Sequence, residues 1–135
     1  MATESFKLEI ISPSGEVFNG DVEHVSAPGV KGSFGVLKGH TPFITALEIG
    51  LIEAKISGND EKIFATSGGH AEVHGDHVVI LAETAEEKTR IDTERAEASR
   101  DRALERIDTK EPDLDLERAQ LALARAINRI KIATD

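Results

Sequence analysis

No cysteine, tryptophan or tyrosine occurs among the 135 residues, and there is a single methionine. Without cysteine there is neither a disulfide framework nor a thiolate metal site. Without tryptophan or tyrosine, the core must be built from Val, Ile, Leu, Ala and five Phe. No apolar run approaches the roughly 20 residues that a membrane-spanning helix needs, so direct membrane insertion is not expected. Met1 to Ser5 carries no basic start and no apolar stretch, so a signal peptide is not expected and a cytosol-like compartment is the simple reading. Positive charge is also short: 16 Lys and Arg stand against 25 Asp and Glu, a net charge of −9. An acidic surface repels phosphate backbones, which excludes nucleic acid as the default partner.

The scarcities are uneven along the chain. All eight arginines fall after Ala85: Arg90, Arg95, Arg100, Arg102, Arg106, Arg118, Arg125 and Arg129. None of the eleven glycines lies there, and no His or Phe does. Residues 1–85 hold 12 acids and 5 lysines, a net −7, whereas residues 86–135 hold 13 acids and 11 bases, a net −2. Two differently built pieces therefore share the chain. Residues 1–84 read as a β domain and residues 85–135 as a helical appendage, an α+β organisation.

In the front piece, Phe6, Leu8 and Ile10 alternate with Lys7 and Glu9, the period of a half-buried strand. Pro13-Ser14-Gly15 predicts a turn, Glu16 to Phe18 a short return strand, Asn19-Gly20 a second turn, and Val22 to Ala27 a third strand closed by Pro28-Gly29. Gly32 to Pro42 holds three glycines and a proline and predicts irregular backbone, anchored by Phe34, Val36 and Leu37. Further strands are expected over 43–48, 51–57 and 62–67, with a hairpin turn at Gly58-Asn59-Asp60 and an interruption at Gly68-Gly69. His70 to His74 and His77 to Leu81 flank Gly75-Asp76 as a hairpin. Many short strands at this spacing indicate a sandwich or a small barrel.

Thr84-Ala85-Glu86-Glu87 has the form of a capping box and predicts a helix over 85–107. Asp108 to Pro112 breaks it. Asp113 or Asp115 then caps a second helix running to Ile132, which makes an antiparallel hairpin. Helix two gathers Leu116, Ala119, Leu123, Ala126, Ile127 and Ile130 on one face, with Arg118, Arg125 and Arg129 in a stripe away from it and Leu114, Leu121 and Ile132 in a thinner apolar line. Helix one has only Ala96, Ala103 and Ile107 as a coherent apolar line, beside a polar stripe of Asp92, Arg95, Ser99, Arg102 and Arg106. A helix with so little to bury is expected to pack weakly, docked in one state and undocked in another.

No catalytic constellation stands out. His74 and His77 face each other across a two-residue turn, but two histidines make a poor metal site and His70 is too far along its strand to join them, so no metal is expected. Lys38-Gly39-His40 lies inside β structure, unlike a phosphate-binding loop at a strand-to-helix junction. The glycine loop reads either as a set of backbone bends or as a protein-contact surface. Ile91-Asp92-Thr93-Glu94-Arg95-Ala96 reads either as a surface Asp92–Arg95 pair or as part of a phosphate site, in which the antiparallel helices aim Arg95 or Arg102 and Arg125 or Arg129 at one anion.

Taken together these residues resemble the epsilon subunit of bacterial and chloroplast-type rotary (F-type) ATP synthases, nearly end to end. The most specific stretch is Gly32-Ser33-Phe34-Gly35-Val36-Leu37-Lys38-Gly39-His40-Thr41-Pro42, similar to the family's Gly-x-x-Gly-x-Leu-Pro-Gly-His-x-Pro; Lys38 and Ser33 depart from the commoner proline and acid. Ser67-Gly68-Gly69, Glu72-Val73, Val78 to Ala82, and Leu116 to Ala119 with Ala126 to Arg129 extend the likeness. The resemblance implies a ten-stranded β-sandwich followed by an antiparallel two-helix hairpin. It implies a non-catalytic subunit of the central stalk, beside gamma and on the c-ring, at the cytoplasmic face of the bacterial membrane, in a proton-translocating complex. Gly32, Ser33, Phe34, Gly35, Lys38, Gly39, His40 and Pro42 would then belong to the rotor contact. The hairpin would reach the alpha and beta subunits when extended and inhibit ATP hydrolysis. No cofactor is required, but Ile91, Asp92, Arg95 and Ala96 match an ATP-binding motif of some members, with Glu86, Arg102, Arg125 and Arg129 at the positions of further ATP contacts. The rival from another class is a free-standing β-sandwich that senses a nucleotide.

Overall fold

The computed structural model describes residues 4–109 and 112–135. Met1 to Thr3 at the start, and Lys110 and Glu111 within the expected helix break, lie outside the described residues. Two compact units divide the chain, one ending at Lys88 and the other starting at Thr89.

The first unit holds ten strands: β1 Phe6–Ser12, β2 Gly15–Val22, β3 His24–Gly29, β4 Gly32–Val36, β5 His40–Leu47, β6 Gly50–Ser57, β7 Asp60–Thr66, β8 Gly69–Gly75, β9 His77–Ala82 and β10 Ala85–Glu87. They run in the order β10-β7-β6-β3-β5-β8-β9-β1-β2, with β4 added alongside β3. β3 and β5 meet at a single register pair, Gly29 and Leu47, and there the sheet folds into two layers. Ten strands in a sandwich agree with the expected fold. Alternation fixes the inward faces: Phe6, Leu8 and Ile10 of β1, Ile52 and Ala54 of β6, Phe64 of β7, and Val78 and Ile80 of β9 are all buried. β1 pairs antiparallel with β2 but parallel with β9, a long-range pairing that turn residues cannot announce.

Three local expectations are corrected. Asn19-Gly20 is not a turn. β2 runs through it, with Asn19 opposite Glu9 and Gly20 opposite Leu8, and the Phe18 ring lies over the bare Gly20. The long partner strand outweighs a local turn preference. The stretch 32–42 is largely extended rather than irregular: β4 and the start of β5 occupy it, around a turn at Leu37 to Gly39. Val36 anchors it fully buried and Phe34 is half-buried, but Leu37 is 56% exposed and anchors nothing. Thr84 does not start a helix. Its hydroxyl donates to Ser67 Oγ at 2.7 Å, and Ala85 to Glu87 pair with Thr66 to Phe64 as β10.

The second unit is helical. A 3-10 turn at Lys88–Arg90, at the division between the units, precedes α1, Thr93–Thr109, and α2 follows at Leu116–Thr134. Helix one is therefore shorter at its front than the capping-box reading required. Helix two starts one residue after Asp115, whose Oδ1 accepts the Arg118 N–H at 3.0 Å, as expected for one of its two candidate caps. The helices pack on each other, and their buried positions are Ala96 and Ala103 on α1 and Ala119, Ala126 and Ile132 on α2. Seven-residue spacing of alanine on both helices gives two narrow, matching lines and lets the backbones come close.

Candidate functional site

Two groups of residues were singled out, one on each unit. The first surrounds the β4–β5 turn. Within Gly32 to Pro42, Gly32, Ser33, Gly35, Lys38, Gly39 and Pro42 are exposed, and Phe34 and His40 are half-buried. The strand scaffold holds this surface closely. The Phe34 ring covers Gly29, where a Cβ would come within 2.7 Å of the Gly32 carbonyl and 3.1 Å of that ring. Phe34 and Phe43 meet edge to face at 5.1 Å. His24 lies over Gly35 closely enough that a Cβ there would stand 2.7 Å from its Nε2. The turn is tied to the β8–β9 hairpin by the Gly39 N–H, which donates to the Gly75 carbonyl at 2.8 Å. His40 Nδ1 donates to the Thr41 carbonyl at 2.8 Å, and its ring stacks obliquely near Phe43 at 5.2 Å. The surface is thus rigid, small-residue backbone with apolar side chains at its margins.

Those margins include residues that the sequence reading missed. Val30 is 51% exposed, and Ile44, one residue beyond Phe43 on the opposite face of β5, is 69% exposed. With Leu37 they are three singly exposed apolar residues, which is ordinary for a protein surface and does not by itself mark a contact. The alternation Phe43-Ile44-Thr45 carried the signal for Ile44, since only one of two adjacent strand residues can face the core.

The histidines do not form a metal centre. His74 and His77 are cross-strand partners, as the two-residue turn required, but each ring meets a carboxylate through Nε2: His74 with Glu72 at 3.4 Å and His77 with Glu9 at 3.3 Å. Among the described residues, no group of three or more His, Asp or Glu side chains is arranged to hold a metal ion.

The second group lies on the hairpin. Ile91, Asp92, Arg95 and Ala96 are the residues at the head of α1; Arg102 lies further along it, and Arg125 and Arg129 lie on α2. Glu86 belongs to β10, in the first unit. At 100° per residue, Arg95, Arg102 and Arg106 fall on one side of the Ala96–Ala103 line. Arg118, Arg125 and Arg129 fall on one side of the Ala119–Ala126 line. The helices run antiparallel, so rotation about α2 carries the opposite hand as seen from one end. Both arginine stripes then come to the same side of the hairpin. Leu104, Leu116 and Ile127, all more than 40% exposed, come to the other. Arg106 and Arg118, outside the ATP-contact set, share the arginine side with Arg95 and Arg102.

Arg102 donates to Ser99 Oγ at 3.1 Å. Among the described residues, Arg95, Arg106, Arg118 and Arg125 pair with no carboxylate. The expected Asp92–Arg95 side-chain pair is replaced by a backbone bond: Asp92 Oδ1 accepts the Arg95 N–H at 3.1 Å. Arg95, Arg102, Arg106, Arg118 and Arg125 are exposed on this two-helix surface, which suits an anion with several oxygens.

Comparison with known proteins covers both units. The family model described as ATP synthase, Delta/Epsilon chain, beta-sandwich domain matches residues 5–88, and the one described as ATP synthase, Delta/Epsilon chain, long alpha-helix domain matches residues 90–134. The ATP synthase epsilon chain of Bacillus licheniformis is 45% identical over 130 residues, 96% of this chain and 98% of that one. The epsilon chain of Desulforamulus reducens is 42% identical over 127 residues, 94% and 96% of the two chains. Among solved structures, a chain of the Euglena gracilis mitochondrial ATP synthase (OSCP/F1/c-ring) superposes with a TM-score of 0.80 at 22% identity, over 97% of this chain and 82% of that one. A chain of the Tetrahymena thermophila mitochondrial ATP synthase central stalk and c-ring gives 0.60 at 15% identity, over 99% and 97%. The structural likenesses speak to the fold. The matches of sequence run through the sandwich and the helices alike, and with them the chain belongs to the delta/epsilon chain family of the ATP synthases.

Proposed function

We propose that the chain is the non-catalytic epsilon subunit of a bacterial ATP synthase, seated in the central stalk at the cytoplasmic face of the membrane. Its sandwich couples gamma to the c-ring, and the Gly32 to Pro42 surface belongs to that rotor contact. Its hairpin is a regulatory arm that restrains ATP hydrolysis by reaching the alpha and beta subunits. ATP is the ligand of the folded hairpin, held by the arginine side and by the Ile91 to Ala96 stretch, and it favours the folded state.

The observation that carries this reading is the arginine side of the compact helical unit, on which Arg95, Arg106, Arg118 and Arg125 are exposed and, among the described residues, pair with no carboxylate. A population shift follows from elementary linkage. A ligand that binds only the folded hairpin lowers the fraction that is free to extend, by a factor set by its concentration relative to its dissociation constant. Removing ATP returns the arginines to protein partners, whose acidic groups are the complementary surface.

Two measurements test it. Titration calorimetry of the full chain with ATP is expected to give saturable heat, and no heat at millimolar ATP would rule out the ligand. In the assembled complex, a chain ending at Lys88 is expected to leave ATP synthesis coupled and to raise ATP hydrolysis at low ATP. Unchanged hydrolysis would remove the inhibitory arm and leave coupling alone.

A further inference from the structure

An acidic residue inside an anion-binding stretch needs a physical reason, because a free carboxylate beside a phosphate chain opposes binding. Asp92 supplies the reason through its own bonds. Its Oδ1 accepts the Arg95 N–H at 3.1 Å, and its backbone carbonyl accepts the Ala96 N–H at 3.0 Å. These are the bonds of a helix N-cap, side chain to the third helical residue and backbone to the fourth. Counted from that cap, Ile91 precedes it and Ala96 is the fourth helical residue, the two positions that form a hydrophobic staple. Ile91 is half-buried and Ala96 is fully buried. Three of the four specified residues of Ile-Asp-x-x-Arg-Ala therefore build the first turn of α1. The fourth, Arg95, is the residue whose amide Asp92 holds.

We propose that Asp92 is a positioning residue of the ATP site: it acts by capping α1, and so fixes the turn from which the Arg95 side chain departs. This rests on the reading of the hairpin as an ATP site. Helix ends fray, and Arg95 lies in the first turn. With the cap intact, its Cα–Cβ direction is set by the helix and its guanidinium stays on the side of Arg102. With the first turn open, the guanidinium is spread over many directions, and the fraction of molecules competent to bind falls accordingly. The carboxylate is meanwhile turned toward helix amides, where the positive end of the helix dipole favours it, rather than left free beside the ligand's phosphates.

The test uses the full chain and three variants, Asp92→Ala, Asp92→Ser and Arg95→Gln. Hydrogen exchange of the residue 95 amide reads the cap, and calorimetry with ATP reads the site. Asp92→Ala is expected to speed that exchange and to weaken ATP binding by about three- to ten-fold. Asp92→Ser, whose hydroxyl can accept the same N–H, is expected to restore both readouts. Arg95→Gln is expected to keep the slow exchange and lose the affinity. If Asp92→Ser restores slow exchange but binds ATP as poorly as Asp92→Ala, the carboxylate acts on the ligand directly and the proposal falls. It falls as well if Asp92→Ala binds like the wild type. A wild-type chain that gives no heat at millimolar ATP would remove the ATP reading itself, whereas unchanged exchange in Asp92→Ala would remove the capping step alone.

Discussion

A single methyl group tests the sandwich at Gly69. This residue pairs with Leu47 on one side and Ala82 on the other, at φ 142°, and a Cβ there would run into the Leu81 carbonyl and stand 2.8 Å from Ala82 Cα. Gly69→Ala is expected to cost about 2–4 kcal/mol, since neither backbone can retreat without breaking the sheet. Gly58→Ala is the control: φ is 56° but nothing lies within 4 Å, so only the left-handed backbone costs, about 1–2 kcal/mol. Urea midpoints of the two variants should fall in that order, and equal losses would mean that φ alone decides at Gly69. The sequence marked Gly68-Gly69 as an interruption, but the break falls at Ser67 and Gly68, and Gly69 already opens β8. Sequence alone could not show this, because Leu47 and Leu81 reach Gly69 from strands that only the fold brings together. Thr66 was equally silent. Its buried hydroxyl donates to the Thr84 carbonyl at 2.9 Å and accepts the Gly68 N–H at 3.2 Å, serving two connections at once.

Among the elements, local signals held where they had no competitor and failed where a sheet competed. Asp115 is followed by a helix and no strand partner, so its cap forms as spacing predicts. Thr84-Ala85-Glu86-Glu87 carries an equally good helix signal, but β7 offers an unpaired edge to it, and three residues become strand instead. The hairpin's apolar line on α1, Ala96 with Ala103 and the half-buried Ile107, was legible in full. On α2 the broad face was only half right. Ala119 and Ala126 are buried, whereas Leu116 and Ile127, at its far edge, are exposed. The reason is the partner: a helix that presents alanines admits a narrow seam, and the large residues at the rim of the wider face are left outside it. Ala103→Leu tests that seam. Three added carbons where the backbones approach should force the helices apart and cost about 1–3 kcal/mol. Loss of helical circular dichroism on mild heating, with the sandwich still folded, is the expected signature. Leu104→Ala, on an exposed position, should leave the helical signal nearly unchanged, and a larger loss there than at Ala103 would place the seam elsewhere.

At the scale of the whole molecule, the question is where the sandwich ends. Composition placed the end at Thr84, where glycine and histidine stop and arginine is about to begin. The fold carries the sandwich three residues further, through β10, and the two compact units divide after Lys88. The difference has an energetic consequence. β10 adds the pairing of Ala85, Glu86 and Glu87 with Thr66, Ala65 and Phe64, and an ion pair between Lys62 and Glu87 at 3.7 Å. It also covers the edge of β7, which would otherwise be open to pairing with another chain. Few side-chain contacts are involved, because no residue of β10 is fully buried. The exposed ion pair adds little, and each backbone hydrogen bond contributes about 0.5–1.5 kcal/mol net. A chain ending at Lys88 is therefore expected to unfold cooperatively as an intact sandwich. A chain ending at Thr84 should be about 1–3 kcal/mol less stable and more prone to self-association. Urea unfolding read by circular dichroism measures the first difference, and sedimentation of the two fragments measures the second. Equal midpoints and equal monomer fractions would show that β10 adds nothing to the sandwich. The boundary for separating coupling from inhibition would then return to Thr84. Unequal ones make the Lys88 truncation the proper test of the arm, since removing residues 85–88 as well would weaken the body that holds the rotor contact and confound loss of the brake with loss of the seat.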